Sequence, residues 1–502
     1  MNQGPTRIIT PSRTNRSCAP QQRGGLILWL LLLLPILPVV IFFLFPNFVK
    51  KNVPFFEGEP PVLDISGAPK VIGLDVAQFS IMVSDEGAGV DEAIARIEQG
   101  GKPIDLALLK RPDSTQPLSV KLNAKELGLR EGVATFQFTA FDRSFWSNRV
   151  ELSSEVRISY SRPRLEVLTS QHNVAQGGTN LLFYRLTAGE IIASGIRVGN
   201  IEQLGSPAVN FDPAFSGEPK LYAVLFAVPK SFDPSKDKLE AFARDIAGNT
   251  ATAPVNHRIL RKNFRDAPVT IDENFLRPKI TDLWPGYQRV DTTAVALDPS
   301  TATAEELSNG FQRINREYRS LLEKQIRQTL QTSSEKRSWI GTILRPMLGT
   351  PTSQFGEQRR YLLNGAEISQ SNHDGIDLAS VANAVVRSSA GGTIRFADDL
   401  GIYGQTVIVD HGLGLSSLYG HLSAISVNVG DPVTADQQIG RSGATGLAGG
   451  DHLHFELRVH GEPVTPIEWW DGRWVNDHIL DKIETMKRLL VVESQQRVPA
   501  LE

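Results

Sequence analysis

Twenty consecutive residues without a charge, Leu26–Phe45 (LILWLLLLLPILPVVIFFLF), constrain this chain more than any other feature. As a helix they are long enough to cross a hydrocarbon core of about 30 Å. Pro35 and Pro38 kink such a helix, which membrane spans tolerate. A buried core helix rarely runs so long without a charge. A cleaved signal peptide has a shorter apolar run and a small-residue cleavage site, and none precedes Pro46-Asn47-Phe48. Residues 26–46 therefore read as an uncleaved signal anchor. The tail, residues 1–25, carries Arg7, Arg13, Arg16 and Arg23 and no acid, whereas Lys50 and Lys51 are followed by Glu57, Glu59 and Asp64. The arginine excess predicts a single pass with the tail in the cytoplasm and all later domains outside. The one cysteine, Cys18, falls on the cytoplasmic side, so an outer metal site must use nitrogen and oxygen ligands.

A chain of 502 residues needs several cores. Its net charge of −3 gives no electrostatic reason to expect nucleic acid as a partner. From 60 to 262, short strand-like runs such as VAQFSIMVSDEG, ATFQFTAFD and LYAVLFAVP are separated by Gly, Pro, Asn and Asp. PPVLDI (60–65) is echoed by RPRLEV (162–167), and TAFDRSFWSN (139–148) by AFARDIAGNT (241–250). Both offsets are close to one hundred residues, so 60–160 and 161–262 are expected to be tandem immunoglobulin-like β-sandwiches, serving as spacers or docking modules.

Residues 263–345 read as a linker, irregular and proline-dotted up to 302. A capping box, Thr303-Ala-Glu-Glu306, then opens an amphipathic helix over 303–331. This segment stands directly before the next domain, in position to lie over its groove. From 346 to 475, strands such as GTIRFADD and TVIVDHG alternate with glycine turns, predicting a compact antiparallel sheet able to fold alone. Residues 476–502 read as a C-terminal helix.

Most of the nine histidines lie in this last third. In HLHFELRV an extended strand puts His452, His454, Glu456 and Arg458 on one face and Leu453, Phe455, Leu457 and Val459 on the other. H-x-H alone is weak support for a metal. His373-Asp-Gly-Ile-Asp377 adds an imidazole and a carboxylate four residues apart across a glycine. With one more imidazole, two histidines and an aspartate leave a fourth position open, a hydrolytic rather than a structural zinc arrangement. Glu456 is placed to orient a ligand or to pair with Arg458. GATGLAGG lacks the Gly-Lys-Ser/Thr of a phosphate loop and reads as tight turns. His172, His257, His411, His460 and His478 read as structural.

HDGID (373–377), YGHL (419–422) and HLHFE (452–456), joined by TSQFGEQRR, YGQTVIVDHG, VNVGDPV and GATGLAGGDH, resemble the lysostaphin/LytM-type zinc metallopeptidases over about 350–470. The resemblance implies a small antiparallel sheet with one zinc ion in a groove. By position the ligands are His373, Asp377 and His454. His421 and His452 are the catalytic histidines, with His452 favoured as the base that deprotonates the attacking water. The implied substrate is peptidoglycan peptide, the implied setting is the outer side of a bacterial cytoplasmic membrane, and the implied partners of the immunoglobulin-like domains are wall or divisome proteins. The alternative is a noncatalytic wall-binding regulator of another hydrolase, against which stands the retention of all five residues. The expected fold class is mainly β: a transmembrane helix, two immunoglobulin-like sandwiches, a helical linker and an antiparallel-sheet metallopeptidase domain.

Overall fold

The computed structural model describes Leu44 and residues 53–111 and 116–497. The span 26–46, apart from Leu44, and Cys18 lie outside the described residues. Among those described, no helix is long and apolar enough to cross a membrane. The chain is mainly β and divides between Ser159 and Tyr160 into two compact units.

The first unit pairs a three-stranded sheet (Val62–Asp64, Ala77–Ser84, Gln116–Leu122) with a five-stranded one (Val71–Ile72, Arg149–Ile158, Gly132–Asp142, Val90–Gln99, Lys102–Lys110). Its strands alternate. Ile81, Val83, Leu118 and Val120 are buried from one sheet, and Ile97, Phe136, Phe138 and Ala140 from the other.

The second unit begins with two four-stranded sheets. Leu182, Tyr184, Val224 and Phe226 face inward to a core with Ile196, Val198, Ala241 and Ala243. Their neighbours in sequence, Leu181, Phe183, Leu221, Ala223 and Leu225, face the other way, into a core shared with Trp339, Phe455 and Trp469. NLLFY and LYAVLFAV, expected to alternate, are therefore apolar on both faces because both faces are covered. The Trp469 indole donates to Thr179 Oγ1 at 3.0 Å across the seam.

The main C-terminal sheet is antiparallel, in the order Thr350–Ser353, Ile376–Ala379, Leu453–Val459, Leu415–Leu422, Gln405–Gly412, Gly392–Asp399, Pro432–Val433, with Glu462–Val464 also beside Leu453–Val459. Val407, Val409 and Tyr419 join the shared core, while Ile408 and Leu418 face a helical layer built from the 263–345 segment.

That segment is more ordered than its sequence suggests. Asp266–Ile271 pairs in parallel with Gln358–Leu363, which forms a hairpin with Ala366–Asn372. Helix α1 (Glu273–Val290) then occupies the stretch expected to be irregular. Asp272 caps it by accepting from Phe275 N at 2.9 Å. Leu276, Ile280, Leu283, Trp284 and Tyr287 form its buried stripe. Pro278 and Pro285 lie on the solvent face, where water can satisfy the carbonyls they leave unpaired. Helix α2 (Ala304–Arg313) starts at the expected capping box, with Thr303 N donating to Glu306 Oε2 at 2.8 Å. A π-helical turn (Ile314–Tyr318) leads into α3 (Arg319–Thr329). The stripe Leu307, Phe311, Ile314, Tyr318, Leu322, Ile326 packs on its own unit. The chain closes with a helix at Asp481–Arg497.

Candidate metal centre and groove

Strand pairing assembles the centre. In the register, Asp377 stands opposite His454 on one side of Leu453–Val459 and Gly420 opposite it on the other. The glycine of HDGID has a steric reason: a Cβ on Gly375 would collide with the Phe455 carbonyl oxygen. His421, at the end of its strand, has φ 60°, a strained value for a residue with a side chain. His452 precedes its strand and forms a single bridge with Gly443. The two rings lie 4.8 Å apart.

His373, Asp377 and His454 are buried and converge. His373 Nε2 is 2.9 Å and His454 Nδ1 2.8 Å from Asp377 Oδ1, and the two nitrogens are 3.0 Å apart. Every other polar atom of the three is already engaged. His373 Nδ1 donates to the Gln354 carbonyl at 2.9 Å, and His454 Nε2 donates to Glu456 Oε1 at 2.9 Å. Asp377 Oδ2 accepts from Arg359 Nη2 at 2.6 Å. Three ligating atoms are thus left facing one point, with tautomers fixed from behind, the usual support for a metal-bound imidazole. Two nitrogens and a carboxylate oxygen with no thiolate fit zinc with an open coordination position.

Electrostatics agree. Burial alone would raise the Asp377 carboxyl, but His373 and His454 hold it well below its ordinary value. Burial would lower His454, yet Asp377 and Glu456 keep its pKa up at about 9. That value favours an imidazolium between two carboxylates in the metal-free protein, and a bound cation would take the place of its Nδ1 proton. Burial, with His452 and His454 nearby, pushes His421 well below its ordinary value, so it is neutral near pH 7. His421 Nδ1 donates to the Thr445 carbonyl and His452 Nδ1 to that of Gly450, each at 2.8 Å. His421 therefore keeps an Nε2 lone pair, and His452 brings its Nε2 to 3.7 Å from Asp377 Oδ1.

Glu456 does both things its position allowed. Besides His454 it accepts from Arg458 Nε at 2.6 Å. Arg458, fully buried, continues to Glu323 of α3 at 2.8 Å. A buried charged chain thus ties a candidate metal ligand to the helical layer. It is tolerable in the interior only because each member is paired. Sequence reasoning missed Arg359, Tyr403, whose ring lies 5.6 Å from that of His454, and Glu323, because none sits inside a ligand motif.

Asp377, His421 and His452 open onto a groove of about 600 Å³ whose far wall includes Arg265, Val269 and Phe275. The 263–345 segment is a wall of the groove, not a loose flap. Lys279 of α1 donates to the Gly446 carbonyl at 2.8 Å, bracing the loop that orients His421. The remaining histidines are structural: His411, for example, is buried between the Gly391 carbonyl and Ser417, and burial lowers its pKa to about 4.

Residues 371–466 match the family described as peptidase family M23. The DD-carboxypeptidase/endopeptidase Mpg of Neisseria meningitidis is 38% identical over 128 residues, 25% of this chain and 29% of that protein. The murein hydrolase activator EnvC of Escherichia coli is 34% identical over 129 residues, 26% of this chain and 29% of that protein. The matched stretch therefore spans less than a third of these relatives. Among solved structures, the catalytic domain of lysostaphin from Staphylococcus simulans matches with 28% identity over 24% of this chain and 92% of that domain, with a TM-score of 0.21.

Proposed function

We propose, starting from the peptidase family M23 domain of lysostaphin/LytM type that this chain carries at residues 371–466, that the protein is a zinc metalloendopeptidase cutting peptide cross-links of peptidoglycan. The observation that carries this reading is the convergence of His373 Nε2, Asp377 Oδ1 and His454 Nδ1, each with its other polar atom pinned. These three residues would hold the metal. When bound, zinc supplies a Lewis acid that polarises a carbonyl and acidifies a water. His452 takes the proton of the attacking water at Nε2. Its Nε2 stands 3.7 Å from Asp377 Oδ1, so the base lies beside the candidate ligand set. The proton held by His452 then goes to the leaving amine, and His421, which shares the groove, would donate to the developing oxyanion from Nε2 with a proton drawn from solvent, a form that the negative charge growing beside it favours. Residues 26–46 would anchor the enzyme in the cytoplasmic membrane with residues 53–497 outside, next to that substrate.

The similarity to a murein hydrolase activator supports a second reading, a noncatalytic regulator, and one assay separates the two. Purified wall sacculi are digested with the zinc-loaded protein and its variants, and released peptides are identified by mass. His454→Ala should lose both metal and activity. His452→Ala should keep the metal and lose activity by about 10²–10⁴-fold. Wild-type protein that binds zinc and releases no peptide would establish the regulator instead.

A further inference from the structure

The centre has a second neighbour. Behind His373, a cleft of about 700 Å³ runs between the Pro229–Ser231 turn, the start of α3 and the Gln358–Asn372 hairpin. Arg319, Asn372 and Asp374 line both this cleft and the small cavity that holds His373 and His454. The cleft therefore borders the small cavity that His373 and His454 line.

Its charges are unevenly committed. Asp374 is paired with Lys230. Glu323 is paired with Arg458 at 2.8 Å and with Arg327 at 3.1 Å, and Glu462 with Arg327. Every acid lining the cleft thus has its cation, while Arg316 and Arg319 have no carboxylate partner among the described residues. Arg316 is exposed. Arg319 is half-buried and held in place: Nη2 donates to Asn315 Oδ1 at 2.8 Å and Nε to the Asn315 carbonyl at 3.2 Å. Asn315, 1% exposed, is itself fixed by donating to Ser369 Oγ at 2.9 Å and the Gln370 carbonyl at 3.1 Å. The π-helical turn Ile314–Tyr318 carries this asparagine, and such turns recur at functional sites. Among the described residues Arg319 Nη1 has no hydrogen-bond partner, and Arg319 lines the cleft. A buried amide that orients a guanidinium bound to no acid is the construction expected of a carboxylate receptor.

We propose that this cleft is an anion subsite in which Arg319, assisted by Arg316, holds a carboxylate of the substrate's own acidic peptide arm. The inference rests on the peptidase reading for the identity of the peptide, and on the cleft alone for the chemistry. A cross-link has two arms, and two clefts flank the centre. Peptidoglycan stem peptides carry free carboxylates that can be converted to carboxamides without changing their shape, which gives a direct probe.

Binding and cleavage are measured separately, on the zinc-loaded protein, with one cross-linked muropeptide prepared with free carboxylates and again with those groups amidated. Wild type should bind the carboxylate form about tenfold more tightly or better, as a charge-assisted pair lost to a neutral one would give. Arg319→Met should erase that preference and raise KM for the carboxylate form with kcat and zinc content unchanged. Arg316→Ala, at an exposed position that does not threaten folding, should weaken the preference by about threefold. Equal binding of the two forms by wild type, or a preference surviving the double variant, overturns the subsite. A preference that is lost in Arg319→Met while neither form is cleaved keeps the subsite and removes the peptidase reading. An uncross-linked acidic peptide that fills the cleft without inhibiting cleavage makes the cleft an effector site and overturns the assignment to a substrate arm.

Discussion

The two β-rich segments before the C-terminal sheet share a turn and differ in what covers them. In the first, Asp142 Oδ1 accepts from Ser144 N at 3.1 Å and Asn148 N at 2.8 Å. In the second, Asp245 Oδ1 accepts from Ala247 N and Asn249 N, each at 2.9 Å. The repeated Asp…Asn signature thus builds a turn held by a buried aspartate twice, from Asp142 to Asn148 and, more tightly, from Asp245 to Asn249. Burial along the strands is different. Ala77–Ser84 is largely exposed on alternate residues, whereas Thr179–Ala188 and Leu221–Ala227 are buried almost throughout. A repeat in sequence preserves the local device, while the loss of alternation reports a second packing partner. One copy is a sandwich whose strands alternate, and the other is half of a larger core.

The largest test of that contrast is truncation. Protein beginning at residue 160 should fold and bind about one zinc per chain. Protein reduced to 346–502 should be insoluble or molten, because Trp339 and the apolar face of Leu181, Phe183 and Leu225 would be missing from the shared core. Well-dispersed amide spectra and cooperative melting from 346–502 would show that the seam is dispensable, which is what the sequence alone led us to expect.

Point substitutions sharpen the contrast at lower cost. Phe136 and Phe183 are both fully buried. Phe183 packs edge-on against Phe215 at 5.5 Å within the shared core. Truncation of either to alanine should cost about 3–5 kcal/mol. Calorimetry on protein spanning 53–497 should resolve two transitions. Phe136→Ala should lower one and leave zinc affinity alone. Phe183→Ala should lower the other, and zinc affinity should fall with it near the midpoint. A single transition shifted equally by both substitutions would break the distinction.

What was readable follows from how local each signal is. HDGID and HLHFE carry the candidate ligands on short segments: the strand period puts His452 and His454 on one face, and the family resemblance chose His454 between them, so the candidate centre could be outlined from sequence. The Thr303–Glu306 box was equally local. Helix α1 was not readable because Pro278 and Pro285 look like breakers unless their exposure is known. The parallel pairing of Asp266–Ile271 with Gln358–Leu363 leaves no turn signature between its strands. Arg319 and Glu323 gain significance only from the fold that brings α3 against the centre.

The smallest expected effect probes the seam by its charge. Glu468 lies in it, accepting from Thr179 N at 3.2 Å, and burial raises its pKa to about 7 from an ordinary 4.5. A carboxyl whose folded pKa is raised favours the folded state fully below its unfolded value, and that contribution is lost as pH climbs through the folded value. Stability of the second unit should therefore fall between about pH 4.5 and 7. Lys482, donating to the Leu181 carbonyl at 3.0 Å in the same seam, acts in the opposite sense: burial lowers its pKa to about 7, so its cost is full below that value and eases as pH rises. Together they place a stability minimum near neutrality. Glu468→Gln keeps an acceptor for Thr179 N and removes the charge. It should raise stability by on the order of 2 kcal/mol at pH 7.5 and leave it nearly unchanged at pH 4.5. The gain should appear only in the transition that Phe183→Ala moves. An equal gain at both pH values would mean that the effect is not ionisation, and a gain in the transition moved by Phe136→Ala would put Glu468 outside the seam.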